Sequence, residues 1–196
     1  MPRAGQARLL ASPRLEVLTR THPVLPAALF LPVVGGLLWG VGVLHPLWDG
    51  ELPAAVLAGL CLWTLTEYVL HRGLFHLRPR RRVGITLAYL IHGVHHAYPT
   101  DRRRLVMPPI VTVPLSVLIY LLFIAVLGAP LGPAIYAGFL TGYVAYDTLH
   151  YVLHARRVRV GWLAALQRNH MRHHFEKRDR RFGVSTTVWD HVFRTR

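Results

Sequence analysis

Acidic residues are scarce in this 196-residue chain: nine Asp and Glu stand against 23 Lys and Arg, and only one of those 23 is a lysine. No Glu-x-x-His pair occurs, which excludes the carboxylate-rich metal site of soluble helical bundles. The single cysteine, Cys61, lies within an apolar stretch and says nothing about redox compartment. There is no low-complexity tract, and the one internal repeat is a doubled H-x-x-H-H. The first apolar run lacks a small-residue cleavage site, so it reads as a membrane anchor rather than a signal peptide. Two short links between apolar runs, LHPLWDGE and GAP, contain neither Lys nor Arg.

What is present is apolar. With 53% hydrophobic residues and a mean hydropathy of +0.33, the chain reads as a one-domain integral membrane protein. Four stretches approach the roughly 20 residues that cross a bilayer: Pro26 to Leu44, Leu52 to Leu70, Pro109 to Leu127 and Leu131 to Leu153. The net charge of +14 would suit nucleic acid on a soluble fold, but the arginines sit elsewhere. They lie in the basic arm of residues 1–25 (Arg3, Arg8, Arg14, Arg20), in the middle link (Arg78, Arg80 to Arg82, Arg102 to Arg104) and in the C-terminal tail. Positive charge on one side places both termini in the cytoplasm and argues against a nucleic-acid partner. The excess of Arg over Lys, with abundant Ala, Gly and Val, suggests a bacterial inner membrane. Val83 to Ala97 is too short to span and has helical period, as expected of a helix lying in the interface. Gly36 and Gly40 in GLLWG could permit close helix packing.

Ten of the 13 histidines fall into four clusters at that basic side: His71/His76, His92/His95/His96, His150/His154 and His170/His173/His174. Residues three and four apart share a helical face, so HGVHH and HMRHH can each aim three imidazoles at one point, and HYVLH two. HRGLFH, five apart with Gly73, fits a helix that ends and turns. Buried imidazoles need hydrogen-bond partners or a metal, and ten of them cannot all satisfy one another. Shared between two ions they supply about five ligands each and leave an open position. Zinc usually takes four ligands, whereas iron accepts five or six and can activate oxygen. Glu67 and Asp147 lie near the cytoplasmic boundary of the hydrocarbon, four and three residues before His71 and His150, where each could accept the second N–H of a bound ring. Asp101 and Asp190 are further acids able to balance the metal charge. His22, His45 and His191 belong to no cluster and should be interfacial or solvated. The expected fold is therefore an all-α membrane protein, four transmembrane helices carrying a cytoplasmic helical cap with a histidine-rich dimetal site. A metal transporter or metal-binding protein is a non-enzymatic alternative, although transport sites favour the bilayer midplane. A di-haem protein would need His pairs opposed across helices.

From Glu67 onward the residues resemble the fatty acid hydroxylase superfamily of membrane di-iron enzymes, and its fatty acid 2-hydroxylase branch in particular. The resemblance lies in EYVLHRGLFH, HGVHHAYPTDRRRLVMPP, GYVAYDTLHYVLH, HMRHHFE and FGVSTTVWDHVF. It implies that residues 26–196 form one hydroxylase-type domain in which all ten clustered histidines bind two iron ions, zinc being possible in purified protein. It also implies that Tyr146, Asp147, Trp189 and Asp190 lie close to the site. Glu67, Tyr146 and Asp147 are then candidate catalytic residues, with Asp101, Trp189 and Asp190 behind the ligands and the substrate-binding residues unassigned. The implied reaction is hydroxylation of a fatty acyl chain, free or in a sphingolipid or ceramide, at the carbon next to the carbonyl, using O2 and two electrons. Sterol, carotenoid and other lipid hydroxylases or oxidases of the superfamily are the alternatives. The arm before the first span is too short for the cytochrome b5 domain fused to some relatives, so a separate cytochrome b5-like or ferredoxin-like donor is expected.

Overall fold

The structure is a computed structural model that describes residues 5–44, 50–176 and 179–196. Among these residues there are helices and no strand. After the short α1 (Pro13–Val17), the bundle helices α2 (Leu25–Leu44) and α3 (Glu51–Val69) follow the first two apolar runs within a residue or so. A helix α4 (Arg82–Ala88) leads through a π-helical turn (Tyr89–Gly93) into α5 (Val94–Ala97). Then come α6 (Pro109–Leu127), α7 (Leu131–Ala155), α8 (Gly161–Phe175) and α9 (Val188–Val192).

Among the described residues, three segments are long and apolar enough to cross a membrane: Leu25–Leu44, Glu51–Phe75 and Arg102–Leu127. The fourth expected span, α7, is long but less apolar, and its surroundings explain why. Fourteen of its 25 residues are buried, against four in α2 and one in α6, so α7 is sheathed by protein while its neighbours turn leucines and valines outward. A helix enclosed by other helices can carry Tyr, Thr, Asp and His, because it meets side chains instead of lipid. α2, α3 and α6 all pack on α7. The shared core is aromatic: Trp63 of α3 meets Phe139, Tyr143 and Tyr146 of α7 at 5.1, 5.3 and 5.7 Å between ring centroids.

Two glycines set how closely α3 and α7 approach. A Cβ on Gly59 would lie 1.9 Å from the Ile135 carbonyl oxygen, and one on Gly138 would lie 2.0 Å from that of Val56. Only residues without a Cβ allow backbones to touch in this way. Gly36 and Gly40, the pair expected to permit close packing, have no atom within 4 Å of such a position.

The helix of α3 runs through the first histidine cluster and stops and turns at His76, as HRGLFH reads. Its last turn is π-helical, Leu70–Phe75, closed by the His76 N–H on the His71 carbonyl at 3.2 Å. One residue more per hydrogen-bonded loop brings positions five apart onto one face, and the two rings lie 5.1 Å apart. In the helix from Arg82 to Ala97, His92 and His95 are buried while Val83, Ile85, Leu87 and Ile91 are exposed, an amphipathic surface of the kind expected at an interface.

Candidate metal centre

The ten clustered histidines meet at one end of the bundle in two groups of five. His71, His76, His92, His96 and His173 form the first, and His95, His150, His154, His170 and His174 the second; within each, candidate ligand nitrogens lie within 4.8 Å of one another. Each H-x-x-H-H motif divides its rings between the groups instead of aiming all three at one point. His92 and His96 join the first while His95 joins the second; His170 and His174 join the second while His173 joins the first. The reason is helical: positions i and i+4 lie about 40° apart, with i+3 about 60° away on the other side of i.

The tautomers of His71, His150 and His173 are set by backbone carbonyls. Nδ1 of His71 donates to the Phe182 carbonyl at 2.5 Å, that of His150 to Leu105 at 2.7 Å and that of His173 to Arg180 at 2.6 Å. A neutral imidazole with its proton on Nδ1 presents a bare Nε2 lone pair. These lone pairs face other Nε2 atoms, His71 to His92 at 3.1 Å, His173 to His76 at 3.0 Å and His150 to His95 at 3.0 Å, and His95 Nε2 also lies 3.0 Å from that of His174. A metal–nitrogen bond of about 2.1 Å puts adjacent ligands about 3.0 Å apart at right angles, and about 3.4 Å apart in a tetrahedron. The spacing therefore fits nitrogens that share a metal ion. Buried Nδ1 atoms of His95, His170 and His174 have no hydrogen-bond partner. Burial first, then repulsion from neighbouring imidazoles, holds His92, His95, His170 and His174 below the ordinary histidine range, and burial with the His173 ring brings His76 to about 4. Neutral rings are the form that binds metals.

Glu67 and Asp147 do not make the contacts to His71 and His150 that their spacing suggested. Glu67 accepts from the backbone N–H groups of Val184 and Ser185, at 2.6 and 3.0 Å, and from the Ser185 hydroxyl, while the His71 ring is held by a carbonyl. Asp147 accepts from the Tyr143 hydroxyl at 2.7 Å, and again a carbonyl holds the His150 ring. Asp190 accepts from Phe182 N–H and Gly183 N–H at 2.9 and 3.0 Å and so fixes the loop whose carbonyl orients His71. Asp101 is bound to Ala7 N–H at 3.0 Å and paired with Arg104. Tyr146 is buried and stacks on His150, with the rings 2° from parallel and centroids 5.8 Å apart. Trp189 donates to Thr64 Oγ1 at 3.0 Å. His22 and His191 are exposed, as expected, and His45 lies outside the described residues.

Two cavities adjoin the centre. An apolar one of about 80 Å³ runs between α3, α6 and α7, bounded by Glu67, Met107, Ile119, Phe139 and Tyr146 among others. α7 spans it from Tyr136 to Tyr146, about 15 Å at helical rise. A polar one of about 440 Å³ is lined by His76, His92, His96 and His173 of the first group, with Tyr89 and Asp179. Phe75 lines both, its ring stacked on His92 at 5.0 Å.

A bundle with three helices apolar enough to cross a membrane, which gathers ten imidazoles around two points at one end, is consistent with a membrane protein that holds metal. The family model for fatty acid hydroxylases matches residues 56–195, and the chain belongs to that family. A dihydroceramide fatty acyl 2-hydroxylase of Arabidopsis thaliana is 37% identical over 188 residues, 96% of this chain and 79% of the plant protein. The fatty acid 2-hydroxylase of Homo sapiens is 41% identical over 149 residues, covering 73% of this chain and 39% of the human protein. The ceramide very long chain fatty acid hydroxylase of Saccharomyces cerevisiae is 38% identical, with 92% of this chain and 47% of the yeast protein aligned. A solved structure described as full-length scs7p, with only its hydroxylase domain visible, superposes with a TM-score of 0.85 at 36% identity, over 92% of this chain and 69% of that one.

Proposed function

We propose that the protein is a membrane hydroxylase acting at the 2-position of a fatty acyl chain carried by a ceramide-like lipid, with iron in both five-histidine groups. The observation that carries the reading is the pairing of those groups with an apolar cavity that reaches Tyr146, the residue stacked on His150. When bound, two iron ions would supply the activation of oxygen that no side chain provides. The ten histidines are the proposed ligands, with Glu67, Tyr146 and Asp147 beside the reacting carbon and Asp101, Trp189 and Asp190 in support. Four membrane spans, both termini in the cytoplasm and a cytoplasmic histidine-bearing cap belong to the same proposal and draw on the distribution of arginine.

The chain's own residues have definable tasks. Leu105, Phe182 and Arg180 carbonyls hold His150, His71 and His173 with Nε2 inward. Trp63, Phe139 and Tyr146 line the apolar cavity, keep it dry and receive the acyl chain. An acyl carbonyl lies at headgroup depth, so its neighbouring carbon comes to the end of the cavity closed by Tyr146 and Phe75, the residues stacked on His150 and His92. In the polar cavity the charges are paired, Arg78 with Asp179 and Glu176 with Arg172 and Arg181. That lining suits a neutral amide and hydroxyls better than a free carboxylate, which favours a lipid-linked substrate. A redox partner, cytochrome b5-like or ferredoxin-like, delivers the two electrons; exposed Arg80, Arg81 and Arg82 offer an acidic one a basic face.

The test is lipid mass spectrometry of cells that express the protein or its His173→Ala variant. Lipids bearing 2-hydroxy acyl chains should accumulate with the first and not with the second. Folded, iron-loaded protein that yields no such species, or that hydroxylates a sterol or carotenoid instead, refutes the assignment.

A further inference from the structure

The stretch from Pro99 to Met107 lies between two partners. On one side it grips α7: the Leu105 carbonyl accepts from His150 Nδ1 at 2.7 Å, the Pro99 carbonyl is hydrogen-bonded to His154, and the Met107 N–H binds Asp147. On the other side it is held by the N-terminal arm, which lies outside the segment matched by the family model. The Arg104 guanidinium is buried, its side chain 3% exposed, and pairs with Glu16 of α1. It also donates to the carbonyls of Thr19 and Ala7 and to the Thr19 hydroxyl, each at 3.1 Å. Glu16 takes the Leu9 and Leu10 N–H groups at 3.0 and 2.9 Å, Asp101 takes that of Ala7, and Thr21 N–H donates to the Arg103 carbonyl at 2.9 Å. A buried arginine paired and hydrogen-bonded on several sides fixes its neighbours, because losing any partner strands a charge.

The first histidine group is supported from elsewhere. The carbonyls that orient His71 and His173 belong to Phe182 and Arg180 of the C-terminal segment. That segment is held by Asp190 at the Phe182 and Gly183 N–H groups and by Glu67 at Val184 and Ser185.

We infer that the two metal positions have separate scaffolds: the N-terminal arm, through Glu16 and Arg104, is a positioning device for His150 and His154 in the second group, while the Asp190 loop serves the first. The inference rests on the two-ion reading above. Partners that fix ligand orientation typically contribute 10–100-fold to metal affinity. Acting through one group's supports, each device should change one affinity and not the other.

The experiment loads the full chain with iron(II) and measures each affinity by chelator competition, with bound metal counted by elemental mass spectrometry. A His76→Ala background removes a first-group ligand, so the metal retained reports the second group; His154→Ala does the reverse. Glu16→Gln should weaken the second group about 10–100-fold and leave the first within about twofold, and Asp190→Asn should do the opposite. Thr19→Val, which removes one acceptor from Arg104, is the milder arm variant and should act in the same direction should Glu16→Gln fail to fold. Equal weakening of both groups by an arm variant, or none in either, overturns the inference. Unmutated protein that takes up fewer than two ions would refute the two-ion reading instead, which keeps the two failures apart.

Discussion

Gly138→Ala should damage this protein far beyond the size of one methyl group. The new Cβ would meet the Val56 carbonyl oxygen at 2.0 Å and its carbon at 2.7 Å, both rigid backbone in α3. Carbon and carbonyl oxygen settle at about 3.3–3.6 Å even in close helix contacts, so α3 and α7 must part by more than about 1 Å. Overpacking of this kind costs about 1–3 kcal/mol, equivalent to a fall of roughly 2–12 °C in Tm for a chain of this size. The functional loss should be larger. α3 runs on into His71 of the first group and α7 carries His150 of the second, the latter about 18 Å along the helix from Gly138. A shift of about 1 Å between reacting groups is worth about 100-fold in rate. Gly36→Ala is the matched control: no atom lies within 4 Å of the new Cβ, and alanine gains up to about 1 kcal/mol of helix propensity. Both variants are purified, melted in detergent and assayed for 2-hydroxy lipid by mass spectrometry. A Gly138→Ala protein that melts and turns over like the unmutated chain would refute the packing argument. So would a Gly36→Ala protein that is the worse of the two.

Other expectations follow from single contacts. Tyr143→Phe removes the hydroxyl bonded to buried Asp147 at 2.7 Å and should cost about 1–3 kcal/mol by denaturant or thermal melts, with no change predicted for a contact that contributes nothing. Chelating the metal leaves bare Nε2 atoms facing one another at about 3.0 Å, so the stripped protein should melt lower and recover with iron; superimposable melts would show that the rings are held without an ion. Phe75→Ala joins the apolar and polar cavities and admits water beside His92, so oxygen consumed per lipid hydroxylated should rise, whereas an unchanged ratio would deny Phe75 its role as partition.

Much of the architecture was legible because bilayer length and helical spacing leave strong marks. The apolar runs became α2, α3, α6 and α7 almost residue for residue, and the clustered histidines converged. The relative polarity of α7 was a sign of its enclosure. Backbone acceptors were not legible: nothing in the side chains of Leu105, Phe182 or Arg180 reports that their carbonyls orient imidazoles, so Glu67 and Asp147 were the natural but mistaken candidates for that contact. The π-helical turn was hidden for a similar reason, since a register of five in HRGLFH looks irregular on an α-helical wheel. Gly36 and Gly40 matched a packing pattern while Gly59 and Gly138 carried the packing, because which face meets a neighbour is a tertiary fact. Asp101 stood close in sequence to the histidines, yet it faces the N-terminal arm.

The decisive measurement is an anomalous-scattering map, recorded at the iron edge, from crystals of the iron-loaded protein. Two peaks are predicted, one among His71, His76, His92, His96 and His173 and the other among His95, His150, His154, His170 and His174. A single peak, or peaks away from both sets of Nε2 atoms, would contradict the reading of this site as a pair of five-imidazole metal positions.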